Sequence, residues 1–169
     1  MAAYVLTDSS RIEVHASSTL HPVRGEARDV RGVLEGEVRD GEILLDPQPS
    51  GWVEVPVEGL SSGNRLQDLE LRRRIDSVRH PVIRFDLDGV GGGPQRFTVA
   101  GRLTFHGVTR PVEAGVEVRL DGDRLVVRGE HTFDITDFGL RQPRILMLKV
   151  QPEVRVVAEL HARRVDSVT

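Results

Sequence analysis

The strongest constraint on this chain is a period of two. Ile12, Val14 and Ala16 alternate with Arg11, Glu13 and His15; Val53, Val55 and Val57 with Glu54 and Glu58; Ile83, Phe85 and Leu87 with Arg84, Asp86 and Asp88. The pattern returns in Phe97, Val99, Gly101, Leu103 and Phe105, and in Val112, Ala114, Val116 and Val118. It returns again in Leu125, Val127, Phe133 and Ile135, and in Val154, Val156, Ala158 and Leu160. Successive side chains of a strand point to opposite faces, so each segment presents one apolar and one polar face. Residues 22–38 read as a further strand whose apolar parity switches from Val23/Ala27 to Val30/Leu34/Val38, which implies a bulge or bend. The count is about eight strands. One buried face per strand means antiparallel sheet, closed as an up-and-down barrel or packed as a sandwich.

Turn chemistry separates the strands. Asp121-Gly122-Asp123 reads as a tight hairpin, and Gly91-Gly92-Gly93-Pro94 and Gly107-Val108-Thr109-Arg110-Pro111 as two more connections. The segment from Asn64 to Asp76 lacks Gly and Pro and places Leu66 and Leu69 three apart. It predicts a short helix with Asn64 near its start. No repeat or linker divides the chain, so residues 1–169 form one domain.

Composition narrows the function classes. The chain has no cysteine, which removes disulfides, thiolate catalysis and Cys-based metal sites. A net charge of −3 argues against a nucleic-acid binder built on a basic face. No apolar run approaches the roughly 18 residues of a membrane helix. The first residues show no basic n-region followed by an apolar stretch, so a cytoplasmic protein without stable membrane insertion is expected. Aromatic residues make up 4% of the chain, and four of its five Phe residues share the inward parity. The remaining inward set includes Gly101, Ala114, Gly129, Ala158 and Ala16. Small residues on the inner face of an eight-stranded barrel favour an apolar cavity over a plugged core.

Catalytic patterns are weak. No Gly-x-Ser-x-Gly elbow, His-Glu-x-x-His or Walker loop occurs, and the glycines at 91–93 precede a strand, not a helix. Asp86 and Asp88 share a face with Arg84 and read as a solvated outer wall. His15, His80 and His161 lack ligand-like spacing, while His21 and His106 fall at strand ends or turns. His131 has the inward parity of Val127, Phe133 and Ile135. It reads first as an interior histidine with one hydrogen-bond partner, and second as a polar anchor for a ligand or an axial ligand for haem. Arg72-Arg73-Arg74 suits a helix C-terminus, and Arg110, Arg141 and Arg144 sit beside prolines in loops.

A family resemblance rests on these residues. Gly101-Arg102-Leu103-Thr104-Phe105-His106-Gly107-Val108-Thr109-Arg110-Pro111-Val112 resembles the hairpin G-x-L-T-[apolar]-H-G-V-T-[KR]-P-V of the YceI-like family. Gly63-Asn64, Asp68 and Leu71 resemble its T-G-N…D-x-x-L helix, and His80-Pro81-Val82-Ile83-Arg84-Phe85 its Y-P-x-I-x-F strand. Asp137-Phe138-Gly139-Leu140 and the strand Val154–Ala162 follow in the same order, so the resemblance spans residues 11–162. Departures are Ile135, where the family often has Arg, and the Leu20-His21-Pro22-Val23-Arg24-Gly25 stretch. Many members also carry a signal peptide.

The resemblance implies a mainly β protein: an eight-stranded antiparallel, lipocalin-like barrel with one short α-helix. It implies a non-enzymatic binder of a long apolar ligand (polyisoprenoid, quinone or fatty chain), with no cofactor and no nucleic-acid partner. The expected lumen wall is Phe85, Phe97, Leu103, Phe105, Val116, Val127 and Phe133, with His131 as a polar contact. Arg110, Arg141 and Arg144 are candidate head-group contacts. Two other readings are a haem or metal barrel using His131, and a filled barrel acting as a protein-interaction module. A homodimer is compatible with the pattern, although no strand shows two apolar faces.

Overall fold

The computed structural model describes residues 1–20, 22–140, 144–145 and 148–166, with the side chains of 144, 145, 148 and 150 left aside. Strands β1 (Ala2–Leu6) and β2 (Arg11–Ser18) are followed by β3 (Pro22–Ala27), β4 (Arg31–Arg39) and the short β5 (Glu42–Leu44). β6 (Ser50–Pro56) and β7 (Leu60–Ser61) precede helix α1 (Arg65–Ile75). Then β8 (Val82–Gly92), β9 (Arg96–Phe105), β10 (Val108–Asp121) and β11 (Arg124–Asp134) form a meander. β12 (Arg144–Ile145) and the long β13 (Leu148–Val165) follow.

Every pairing is antiparallel. The order β1-β4-β6-β8-β9-β10-β11-β13 is closed by β1 on β13, from Ala3 opposite Val165 to Leu6 opposite Ala162. The result is a closed eight-stranded barrel, which leaves no sheet edge along those pairings. β2 continues the line of β1 along β13, from Glu159 opposite Arg11 to Val154 opposite Ala16. β3 pairs with β2 as β4 pairs with β1, so three of the barrel walls are broken strands.

These breaks refine the sequence expectations. Residues 22–38 are two strands, parted at Arg28–Val30, where Asp29 adopts φ 60°. The parity switch marks this left-handed kink, which re-aims the side chains. The N-terminal strand β1 was not anticipated; it is short, and a five-residue alternation is a weak signal. The connection at residues 107–111 shrinks to His106-Gly107, with Phe105 opposite Val108 and both turn residues at positive φ (54° and 74°). That is the geometry a two-residue hairpin demands. Pro111 lies inside β10, yet the β10–β11 ladder ends at Val116 opposite Gly129, so its missing N–H costs no bond there. Ile135 leaves the strand and opens a 3₁₀ turn, Ile135–Phe138.

Helix α1 forms where expected. Asn64 caps it, its side chain accepting from the Leu66 and Gln67 amides at 3.1 and 3.2 Å. Asp76 ends it at φ 56°, and Arg72, Arg73 and Arg74 occupy the last turn. The face that lines the cavity is Asp68, Leu71, Arg74 and Ile75, whereas Leu66 and Leu69 point to solvent. No helix among the described residues is long and apolar enough to cross a membrane.

The two ends of the barrel differ. Around the β10–β11 turn, Ala2, Tyr4, Leu125 and Ala162 pack as a small core, flanked by Leu34, Val38, Ile43 and Leu120. At the opposite end α1 touches β7 and β12, and the Ile135–Phe138 turn lies on β10 and β13.

Candidate ligand-binding cavity

The barrel wall is polar outside and apolar inside. Outside, Arg84 reaches Glu54 at 2.6 Å and Asp86 at 3.0 Å and lies over the Trp52 ring at 4.9 Å. Arg102 reaches Asp88 at 3.0 Å. Asp86 and Asp88 are therefore rungs of a surface charge ladder, not paired carboxylates of a site. The hydrogen bond to Glu54 raises the Arg84 pKa; partial burial works against it, and the Asp86 hydrogen bond adds a lesser upward push. His15 meets Glu13 at 3.2 Å and His161 meets Glu159 at 2.8 Å, also along strand walls.

Inside lies a cavity of about 810 Å³. It runs from Tyr4 and Leu125 at the packed end to Phe105 and Phe138 at the helix end. The eight residues expected on the lumen wall (Phe85, Phe97, Leu103, Phe105, Val116, Val127, His131 and Phe133) all line it. Only ten hydrophobic residues of the described chain are buried, and of those eight only Phe97, at 5% exposure, is among them. A barrel filled by its own side chains would bury most of its inner face. Here the inner face remains half-buried, so the lumen is open space and not core.

The small residues act in two ways. Ala16, Ala114 and Ala158 line the cavity. Gly101 instead makes room for a wall neighbour: a Cβ there would collide with the Phe85 ring and the Asp86 carbonyl. Gly129 lines the cavity and also makes room for Val116, whose Cγ1 would lie 2.9 Å from an added Cβ. An inward ring over a strand glycine recovers packing that the glycine forfeits.

The helix end carries an aromatic cluster. Phe138, buried to 3%, meets Phe105 edge-on at 5.7 Å and Phe133 at 6.4 Å. His131 meets Phe133 at 4.6 Å, and its ring nitrogens have no hydrogen-bond partner among the described residues. The single protein partner expected for this histidine is thus absent there. His106 faces His80 at 5.3 Å, and its Nδ1 stands 3.2 Å from the Phe138 carbonyl oxygen. Asp68, the buried charged residue of the described chain, accepts from the Ser62 amide at 2.9 Å and the Ser62 hydroxyl at 2.7 Å beside the cavity.

The candidate head-group arginines are placed differently. Arg110 does not line the cavity; its Nε donates to the Asp137 carbonyl at 3.0 Å and fastens the 3₁₀ turn to β10. Arg141 and His21 lie outside the described residues, as does the side chain of Arg144. Sequence reasoning missed Phe138 and Tyr4 as lining residues. Phe138 follows a strand end, where parity no longer applies, and Tyr4 sits on the unanticipated β1. Among the described residues no group of three or more His, Asp or Glu stands close enough to hold a metal ion.

The sequence model of the YceI-like domain matches residues 4–162. The chain belongs to the YceI-like family. Solved YceI-like structures share its fold at low identity. BcnA of Burkholderia cenocepacia superposes with a TM-score of 0.79 at 16% identity, over 92% of this chain and 98% of that one. A polyisoprenoid binding domain from Saccharophagus degradans, implicated in plant cell wall breakdown, gives 0.77 at 14% identity, over 96% and 98%. A YceI protein of Campylobacter jejuni gives 0.68 at 16%, over 83% and 84%. No curated protein sequence matches the chain.

Proposed function

We propose that this YceI-like barrel binds one long apolar chain, isoprenoid, quinone or fatty, in its lumen without chemically altering it, for carriage, storage or stress response. The observation that carries the reading is the 810 Å³ cavity walled by inward-facing apolar side chains. That volume lies toward the upper end of small-molecule sites, roughly 300–1,000 Å³. Burying a chain there gains about 0.8 kcal/mol per CH₂ before ordering costs, ample for tight binding. The polyisoprenoid binding domain of Saccharophagus degradans, alike in fold, supports the same ligand class.

The polarity of the wall orients the ligand. The tail would lie among Val116, Val127 and Leu103, and a polar head would stand near His131, whose ring nitrogens have no hydrogen-bond partner among the described residues. Arg110 stands exposed at the same end, held to the 3₁₀ turn, where it would meet only a head group protruding from the mouth.

Titration with an apolar fluorophore tests this reading. One probe should bind per chain, and a lumen-filling Val116→Trp/Ala114→Leu variant should lose that site while remaining folded. Probe binding unchanged by the filled lumen would overturn the proposal.

A further inference from the structure

Seven large hydrophobic side chains stand exposed among the described residues, and five of them (Leu20, Leu66, Leu69, Val78 and Val82) gather at the helix end of the barrel. Leu66 and Leu69 are 61% and 58% exposed, on the face of α1 turned away from the cavity. Arg73 shares that face, because residues spaced i, i+3 and i+7 lie on one side of a helix. Val78, 91% exposed, follows the helix, and Val82 opens β8. Leu20 tips the β2–β3 hairpin, whose Thr19 amide bonds to the Lys149 carbonyl near β12, the strand that α1 touches.

Isolated exposed leucines need no account, but a cluster at one end of a molecule does. Its charge is as uneven as its hydropathy. Arg65, Arg73, Arg74 and Arg79 are exposed around it, in a chain whose net charge is −3. Arg74 and Arg79 hold loose pairs with Glu70 (4.0 Å) and Asp76 (3.6 Å), while Arg65 and Arg73 have no ion-pair partner among the described residues. The helix's remaining carboxylate, Asp68, is buried and turned toward Ser62.

We propose that this end is a docking face for an anionic lipid bilayer. Dispersed Leu and Val tips between arginines suit the headgroup boundary, where apolar tips dip beneath the phosphates and guanidiniums bind them. Among the described residues the patch lacks the exposed aromatic anchors that dominate protein–protein hot spots. Location gives the surface its purpose. The same helix lines the cavity with Leu71 and Ile75, so one element separates membrane from lumen. This purpose rests on the lumen-binding reading; the docking itself does not.

Flotation of the full chain with vesicles tests the proposal. The protein should float with vesicles of equal parts phosphatidylcholine and phosphatidylglycerol, not with phosphatidylcholine alone, and raised salt should release it. Leu66→Ser/Leu69→Ser and Arg65→Gln/Arg73→Gln should each lower the bound fraction about tenfold. Both pairs should slow delivery of an apolar probe from vesicles, while loading from ethanol stays unchanged. Because all four residues are exposed, two independent pairs guard against a misfolded variant. Absence of flotation, equal flotation with neutral vesicles, or variants that float like the unmodified chain would overturn the docking face. Self-association through Leu66 and Leu69 without flotation would overturn it in favour of a second copy. If the unmodified chain floats yet takes up no probe from ethanol, the lumen reading falls and the docking face stands.

Discussion

An open lumen makes the cost of removing a ring depend on what lies behind it, and the phenylalanines supply a matched pair. Phe97 is 5% exposed and packs into the β8–β9 turn, where a Cβ on Gly93 would stand 2.9 Å from its Cε1. Although one side of the Phe97 ring borders the cavity, most of it is wedged between wall and turn, so Phe97→Ala empties packed space and should cost about 3–5 kcal/mol, as for a core ring. Phe133 is half-buried and touches the His131 and Phe138 rings at 4.6 and 6.4 Å, with the cavity on its other side. Phe133→Ala only enlarges a void that already exists, so the cavity penalty vanishes and ring contacts alone are lost. About 100 Å² of contact at ~25 cal/mol per Å² is about 2.5 kcal/mol, and two weak ring pairs add about 1; discounting for partial exposure leaves about 2 kcal/mol. Urea unfolding of both variants, compared at unchanged m, reads the difference directly. A Phe133→Ala loss as large as that of Phe97→Ala would refute the argument, because it would mean a lumen packed solid around the ring.

Gly101→Ala drives a methyl into the Phe85 ring and should cost about 1–3 kcal/mol by the same unfolding assay, with Phe85→Leu restoring part of it. Asn64→Ala removes the acceptor for two helix amides and should cost about 1 kcal/mol, seen as a lower thermal midpoint. Hydrogen bonds from the Thr136 hydroxyl and then its amide hold the Asp134 carboxyl below its ordinary pKa of 3.8. A depressed folded-state pKa means that this contribution is present above the ordinary carboxylate range and is lost as pH falls through the lowered value. Carboxyl NMR titration should show Asp134 ionised to lower pH than in Thr136→Val, and identical curves would remove the hydrogen-bond explanation.

Much of the fold was legible because a barrel wall repeats one rule. Phe85, Phe97, Leu103, Phe105, Val116, Val127, His131 and Phe133 could be placed on the inner wall by counting in twos, since register carries every side chain with it. The helix was legible from Asn64 and from the absence of Gly and Pro. Its facing was not: Leu66 and Leu69 suggested an apolar stripe, whereas burial went to Asp68 and Ile75, with the Asp68 carboxylate satisfied by Ser62. Parity is silent where a strand breaks. Asp29 at φ 60° and the turn at Ile135–Phe138 each reset the count: in residues 22–38 the switch announced a bend but not two separate strands, and past Ile135 it hid the role of Phe138. The meaning of the small residues also required three dimensions, because Gly101 clears space for a wall neighbour, Ala16, Ala114 and Ala158 border the cavity, and Gly129 does both.

The 810 Å³ lumen is proposed as a chamber for one apolar chain. Native mass spectrometry of the gently purified protein, followed by organic extraction of the same sample, tests it most directly. A mass excess equal to one lipid per chain is expected, recovered in the organic phase as an isoprenoid, quinone or fatty compound and reduced in Val116→Trp/Ala114→Leu. A chain that remains at its sequence mass after incubation with such lipids, with nothing extracted, would contradict it.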